Sequence, residues 1–349
     1  MAPARTGGGL LLERLPVTVV IPAHNRASMV RRALESVAAQ VPTPPAEVIV
    51  VDDASSDDTA AAAARMGARV VRHEHNRGEG AARNSGIEAA SQPWVALLDS
   101  DDEWLAHHLH TLWQLRGEHV LVADSTVSRV EQPPAERFSG LVTRRAATLR
   151  SPGALLYPQN FIAPSATMVR RSTVLDAGGY RTDLARAADL DLLLRVLERG
   201  TGVVSPEVGA VYHEHPGQVS RDRSAMRNAH WDVSTGCGER PWASTALLHR
   251  VRACVIWDEL RAAARDGRRW EAAREGRRLA SHPQRMLGLV GMLAWRLLAR
   301  RRTTALGHGG DVPLTPRLGP EGLRSPARAL ETAVEAALFR ALDIRPVER

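Results

Sequence analysis

The sequence contains no lysine. All 46 of its basic residues are arginine, against 39 acids, for a formal charge of +7. Ala-rich stretches accompany this bias, so much of it is compositional. Excess arginine nevertheless favours anionic lipid or phosphate partners. Cysteine is nearly absent, with only Cys237 and Cys254. Two at that spacing exclude a disulfide framework and a thiolate metal site, and a reducing cytoplasm is expected. Aromatic residues make up 4% of the chain. No arginine-rich helix is interleaved with them, which argues against a nucleic-acid partner. Long apolar runs are missing too. The best candidate, "MLGLVGMLAWRLLARRR", is broken by Arg296 and falls short of the roughly eighteen apolar residues a spanning helix needs. The early stretch "GGGLLLERL" is too short and too weakly apolar for a secretory signal, and no small-residue cleavage site follows.

Hydrophobic residues make up 44% and charged residues 24% of 349, enough for a normal core and about two domains. From Val17 to about Asp124, short apolar runs alternate with helical stretches. "VTVVIPA", "EVIVVDD", "ARVVRH", "WVALLD" and "HVLVADS" read as strands. Between them, "SMVRRALESVAAQ" carries Met29, Val30, Ala33, Leu34 and Val37 at helical spacing behind a candidate N-cap, Ser28. "SSDDTAAAAARMG" reads as a helix opened by Ser56 or Asp57 and closed by Gly67. "GAARNSGIEAAS" and "EWLAHHLHTLWQLRG" are helical as well. Such alternation predicts a mostly parallel sheet flanked by helices. Ligands of such sheets bind beyond the carboxyl ends of the strands. After Ser125 the rhythm breaks. Residues 127–163 carry Pro133, Pro134, Pro152 and Pro158 and read as irregular connections. "SATMVRRSTVLDAGGY" then reads as strand, short helix and Gly–Gly turn, "ADLDLLLRVLERG" as an amphipathic helix ended by Gly200, and "GVVSPEVGAVYHEH" as extended. From about Arg221 the pattern is helical and Arg-rich.

Polar groups gather at the strand ends. "LLDSDDEW" places Asp99 and Asp101 two apart, directly after a buried strand. Hard divalent ions take carboxylate oxygens and keep positions open for substrate phosphates. Asp102 and Glu103 are expected to favour the N-terminus of the following helix. In "VVDDASSDDT", Asp57 and Asp58 suit a helix start. Asp53 at the strand end is open between bonding a base or ribose and closing a turn. "IPAHNRAS" leaves a strand through Pro22. "RGEGAARNSG" sets Gly78 and Gly80 before a helix carrying Arg83, a combination suited to diphosphate.

Four segments, "VVIPAHNRASMVRRALESVAAQ", "VIVVDDASSDDT", "NRGEGAARNSGI" and "VALLDSDDEW", together resemble family 2 glycosyltransferases of the GT-A fold. The resemblance is strong over residues 16–125 and returns at 164–220. It implies an inverting transfer of sugar from a nucleotide-diphosphate donor, commonly a UDP-sugar, to an acceptor hydroxyl, with Mn²⁺ or Mg²⁺. Pro22, Ala23, Asn25 and Arg26 match the loop around the nucleoside and Asp53 the base-binding residue. Arg83 and Asn84 match the helix near the base and diphosphate, and Asp99 with Ser100 the ribose side of the D-x-D. Asp99 and Asp101 are the implied metal ligands, Asp101 the principal one, with His215 of "VYHEHPGQVS" a further candidate for metal or diphosphate. In "RAADLDLLLRV", Asp189 aligns with the general base, and Asp191 and Arg195 with positions that support its helix. Ala188 stands where the family commonly has Glu. A nucleotide-sugar-binding protein without turnover is therefore an alternative. A nucleotidyltransferase is another, although those enzymes usually place a lysine near the first strand.

The expected organisation is a flexible N-terminus (1–15), a GT-A catalytic domain (16–220) and an Arg-rich helical region (221–349). The catalytic domain divides into a nucleotide-binding half (16–125) and an acceptor half (126–220). The acceptor class, whether glycan, lipid-linked or small molecule, stays open. So does the role of the C-terminal helices. They are read either as packing on the catalytic domain or as peripheral contact with the anionic inner face of the cell membrane.

Overall fold

The computed structural model describes residues 13–130, 135–140, 145–156, 160–215, 218, 222–305 and 344–347. Pro133, Pro134 and Pro158, most of the N-terminal segment, the middle of "HPGQVS" and much of the region after residue 305 lie outside them. Strands are β1 (Leu15–Ala23), β2 (Pro45–Asp52), β3 (Arg69–Arg72), β4 (Trp94–Leu97), β5 (Glu103–Trp104), β6 (Leu121–Val130), β7 (Ala135–Ser139), β8 (Ala147–Leu149), β9 (Thr167–Arg170), β10 (Gly202–Glu214) and β11 (Ile344–Pro346). Helices are α1 (Ala27–Ala38), α2 (Thr59–Arg65), α3 (Glu79–Ala89), α4 (His108–Leu115), α5 (Arg171–Asp176), α6 (Ala188–Leu197), α7 (Arg223–Gly236), α8 (Thr245–Arg265), α9 (Arg269–Ala280) and α10 (Pro283–Ala305).

All strands join one mixed sheet, with the path β11-β8-β10-β6-β9-β4-β1-β2-β3. From β10 to β3 every strand points the same way except β9, which lies antiparallel between β6 and β4. The expected mostly parallel α/β sheet is therefore present. Period-2 alternation along β1 sends Val17, Val19 and Ile21 to one apolar layer and Val20 to the other. The first layer is covered by Val30, Leu34 and Val37 of α1 and by Leu109 and Leu112 of α4. The second is covered by Ala82 and Ile87 of α3 and by Leu190, Leu193 and Leu197 of α6. A sheet covered on both faces explains why its strands read as continuous apolar runs. Gly86 lets α3 sit close on β1, since a side chain there would collide with Val20.

Helix α7 packs against α6, and α8, α9 and α10 form a small bundle around Ala253, Ile256, Leu279, Leu289 and Met292. An Arg296–Asp258 pair at 3.1 Å ties α10 to α8. On α10, Met286, Leu287, Val290 and Leu293 are exposed. Among the described residues no helix is long and apolar enough to cross a membrane. Both cysteines are free thiols, and burial pushes them up, Cys237 to about 11 and Cys254 to about 12.

Four local expectations change. The helix expected from Glu103 begins instead at His108. Glu103 and Trp104 form β5, antiparallel to β10. Burial decides this: Trp104 is 4% exposed and its indole donates to the Ser165 carbonyl at 2.6 Å. Asp102 accordingly caps no helix. It is 1% exposed and accepts from the Ser165 hydroxyl at 2.6 Å and the His213 amide at 3.3 Å. Residues 127–163 are not wholly irregular, because β7 folds back on β6 and β8 joins β10. Ser28 does not cap α1. That helix starts at Ala27, and the amides of Arg26 and Ala27 donate to Thr59 Oγ1 and Asp57 Oδ2 at 2.8 and 3.2 Å. Asp57 also accepts from the Thr59 amide at 3.0 Å, at the entrance of α2.

Candidate active site

The carboxyl ends of β2, β1 and β4 lie side by side because these strands are adjacent and parallel. Above them opens a cavity of about 780 Å³. Pro22, Ala23, Arg26, Asp53, Arg83, Asp99, Ser100, Asp101 and Asp189 all line it. Residues from five separate sequence segments thus converge on one space. Asn25, Asn84 and His215 are not among the lining residues.

Among the described residues, three other than glycine hold left-handed backbone, Asn25 (φ 53°), Ala54 (φ 58°) and Ala187 (φ 56°). They fall in the loop after β1, the loop after β2, and directly before α6. Such backbone costs on the order of 1–3 kcal/mol and persists where the surroundings enforce it. Asn25 shows how. Its amide donates to Ser55 Oγ at 2.9 Å, and its side-chain oxygen accepts from the Ser56 amide at 2.8 Å. It therefore locks the two loops together.

Both carboxylates at the end of β2 are committed to the protein. Asp52 is fully buried, takes the Ser55 amide at 3.1 Å and faces Arg72 Nε at 3.2 Å. Asp53 accepts from the amides of Arg77 and Gly78 at 2.9 and 2.8 Å and pairs with His73 Nδ1 at 2.6 Å. Burial works against its ionisation, but these donors, led by the Arg77 amide, hold it below the usual carboxylate range. It thus closes the turn leading into α3 while its edge faces the cavity. His73 in turn bonds Ser85 Oγ at 2.9 Å.

At the end of β4 the two acids part. Asp99 receives Arg83 Nη2 at 2.6 Å, and the same guanidinium reaches Glu79 at 2.6 Å and lies 5.2 Å over the Tyr180 ring. Burial pushes Asp99 up to about 6, with Arg83 opposing and Glu79 and Asp101 adding to the rise. Asp101 faces His215 Nε2 at 2.8 Å and Arg26 Nη2 at 4.0 Å. The Asp101 carbonyl accepts from Arg32 Nη2 at 2.5 Å. The Ser165 hydroxyl fixes the turn from below, donating to Asp102 and accepting from the Asp99 amide at 3.1 Å. Among the described residues no three His, Cys, Asp or Glu side chains gather as a ready metal site.

Asp189 sits in the first turn of α6, where the helix dipole favours a carboxylate. The N-cap residue, Ala187, offers no side-chain cap, and Asn160 Nδ2 approaches Asp189 Oδ2 at 3.5 Å. Asp191 and Arg195 form an i,i+4 pair at 2.5 Å, and Arg195 also donates to the Ala177 carbonyl. This is the helix-supporting arrangement expected of them. Asn84 clamps the chain before α6, donating to the Tyr180 carbonyl at 2.8 Å and accepting from its amide at 2.7 Å. Sequence reasoning missed Ser165, His73, Asn160 and His230. Their identities are ordinary and nothing in their spacing marks them; only contacts of long sequence separation do.

A family model described as glycosyl transferase family 2 matches residues 18–176. The pre-mycofactocin glycosyltransferase of Mycobacterium tuberculosis (strain CDC 1551 / Oshkosh) is 34% identical over 210 residues, covering 58% of this chain and 43% of the relative. The chain therefore spans less than half of that relative's length. The succinoglycan biosynthesis protein ExoO of Rhizobium meliloti is 31% identical over 259 residues, covering 69% of this chain and 73% of the relative. Among solved structures, S. aureus TarS 1-349 in complex with UDP-GlcNAc aligns with TM-score 0.56 and 17% identity over 94% of this chain and 90% of that one. The mannosyltransferase PcManGT of Pyrobaculum calidifontis, in complex with GDP-Man and Mn²⁺, aligns with TM-score 0.52 and 20% identity over 94% and 86%. These likenesses show a shared fold.

Proposed function

We propose that this chain, a glycosyltransferase that belongs to glycosyl transferase family 2, moves a sugar from a nucleotide-diphosphate donor, a UDP-sugar, to an acceptor hydroxyl with inversion at the anomeric carbon. The observation that carries the reading is one cavity lined both by the strand-end acids with Arg83 and by Asp189 of α6. Pro22, Ala23 and Asp53 would border the nucleoside, and Arg26 and Arg83 the diphosphate, where guanidinium geometry matches phosphate oxygens.

A divalent ion fits the donor chemistry in part. Asp101 and His215 share a hydrogen bond of 2.8 Å, so a carboxylate oxygen and an imidazole nitrogen stand close enough to turn to one ion once that bond is given up. Asp99 is turned to Arg83. Mg²⁺-type sites are commonly completed by one or two carboxylates, waters and substrate phosphates. Asp101 would thus be the principal ligand, with His215 beside it and Asp99 next in line. When bound, the ion supplies positive charge that stabilises the leaving diphosphate.

The chain's own residues do the rest. Arg83, buried and charged, holds Asp99 and presents a cation to the same region. Asp189 takes the acceptor proton as the acceptor oxygen bonds to the anomeric carbon. The carbon–phosphate-oxygen bond breaks with its electron pair leaving on the diphosphate. A carboxylate is a weak base, so the proton moves late, as the new bond forms.

A thermal-shift panel of UDP- and GDP-sugars with Mn²⁺, followed by donor turnover and an acceptor screen, tests this. Stabilisation by one nucleotide class together with turnover supports it. Binding without turnover favours a carrier protein, and no stabilisation by any nucleotide sugar sinks it.

A further inference from the structure

The acceptor end of the cavity is not built by the sheet domain alone. Met226 and His230, four residues apart on α7, both line it together with Asp189. That spacing puts them on one helix face. Helix α7 belongs to the Arg-rich C-terminal region and packs on α6, the helix that carries Asp189. We infer that His230 forms a proton-accepting pair with Asp189, so that the proton removed from the acceptor hydroxyl finishes on an imidazole supplied by α7. The inference rests on Asp189 as the base of the proposed transfer.

The chemistry follows from the two groups. An imidazole is intrinsically a stronger base than a carboxylate and holds a proton better. Burial lowers His230 and keeps it neutral and receptive, while the charge on Asp189 pulls it back up. Asp189 is thus the charge that acts on it from α6. Arg186 and Asp183, on the loop before α6, line the same cavity, and Arg252 of α8 lies 4.2 Å over the Trp231 ring. The acceptor O–H bond breaks as its oxygen bonds to the anomeric carbon, and the diphosphate leaves with its electron pair. The proton passes from Asp189 to His230 through water in the cavity that both line, and is lost to solvent before the next turnover. Met226 supplies an apolar surface beside this path, suiting an acceptor with a hydrophobic face next to its hydroxyl.

The test reads His230 itself. In a histidine carbon–proton NMR titration, its ring signal is assigned by its loss in His230→Gln or, should that variant misfold, His230→Asn. The titration midpoint should fall by about half a pH unit or more in Asp189→Asn, because the carboxylate charge is gone. Equal midpoints in the two proteins overturn the pair. The donor chosen by the nucleotide-sugar panel then gives a rate profile. The acid limb of kcat should move to lower pH in His230→Gln, with kcat about tenfold lower at neutral pH and donor KM unchanged. A merely structural histidine would lower thermal stability and leave the limb in place, which overturns the inference. If Asp189→Asn keeps full transfer, the base assignment fails and takes this one with it. If that variant is dead and the limb of His230→Gln stays put, only the present inference falls.

Discussion

Residues 15–125 and residues 222–305 solve the problem of burial in opposite ways. In the first, strands buried on both faces leave apolar runs without alternation, and polar residues are expelled to the strand ends. In the second, long helices expose arginines and enclose only a small apolar cluster. The first arrangement gathers chemistry at one edge by topology, whereas the second acquires a role only where it touches the first. Helix α7 meets the cavity through Met226 and His230, while Trp270 on α9 is 86% exposed.

That contrast can be broken or sharpened experimentally. The largest effect expected is at Asp189. Asp189→Asn should lower transfer by about 10²–10⁴-fold, the usual worth of a positioned base, with nucleotide affinity intact by titration calorimetry. Next is the double-faced core. Ile49 is fully buried, and Ile49→Ala should cost about 2–5 kcal/mol in urea unfolding. A loss under about 1 kcal/mol would mean the sheet is looser than its packing implies. Asp101→Ala should weaken Mn²⁺-dependent donor binding by at least about tenfold, with little change in metal-free nucleotide binding. Asp53 gives a smaller, pH-dependent effect. Its folded-state pKa lies below the ordinary value, so its stabilisation is present above the unfolded-state pKa near 4 and is lost as pH falls through the folded value. Asp53→Asn should remove that part of the acid dependence of the melting temperature, flattening the curve below about pH 4. At the bottom of the scale, Trp270→Ala should change stability by no more than about 0.5 kcal/mol. A larger loss by calorimetry would show that α9 is engaged more deeply than its exposure indicates.

Much of the site was legible because its acids follow apolar runs. Asp53, Asp99 and Asp101 stand where a parallel sheet must release the chain; position along the strand marked Asp99 and Asp101 as candidates, whereas Asp53 stayed open between turn and ligand until the four segments were matched together. Asp189 was legible through its match to a helix motif. The helix expected at Glu103 was not, because its first residues obey a tertiary demand: Trp104 is buried against Ser165, and β5 pairs with a strand about a hundred residues later. Asp102 was misread for the same reason. A carboxylate before a helix looks like a cap, and only the fold brings the Ser165 hydroxyl and the His213 amide to it. Asn84, matched to the donor side, instead grips the Tyr180 backbone.

By itself the sequence determined the alternation of strand and helix, the lack of an apolar run long enough to span a membrane and the clustering of acids at strand ends. These follow from hydrophobic periodicity and from the cost of burying charge. The tertiary structure alone decided which partner each acid meets. Asp99 goes to Arg83 and Asp101 to His215, while a histidine from the C-terminal helices reaches the cavity of Asp189. Pairings of that kind join residues up to 114 positions apart. No local propensity encodes them, because the energy that selects them exists only once the chain is packed.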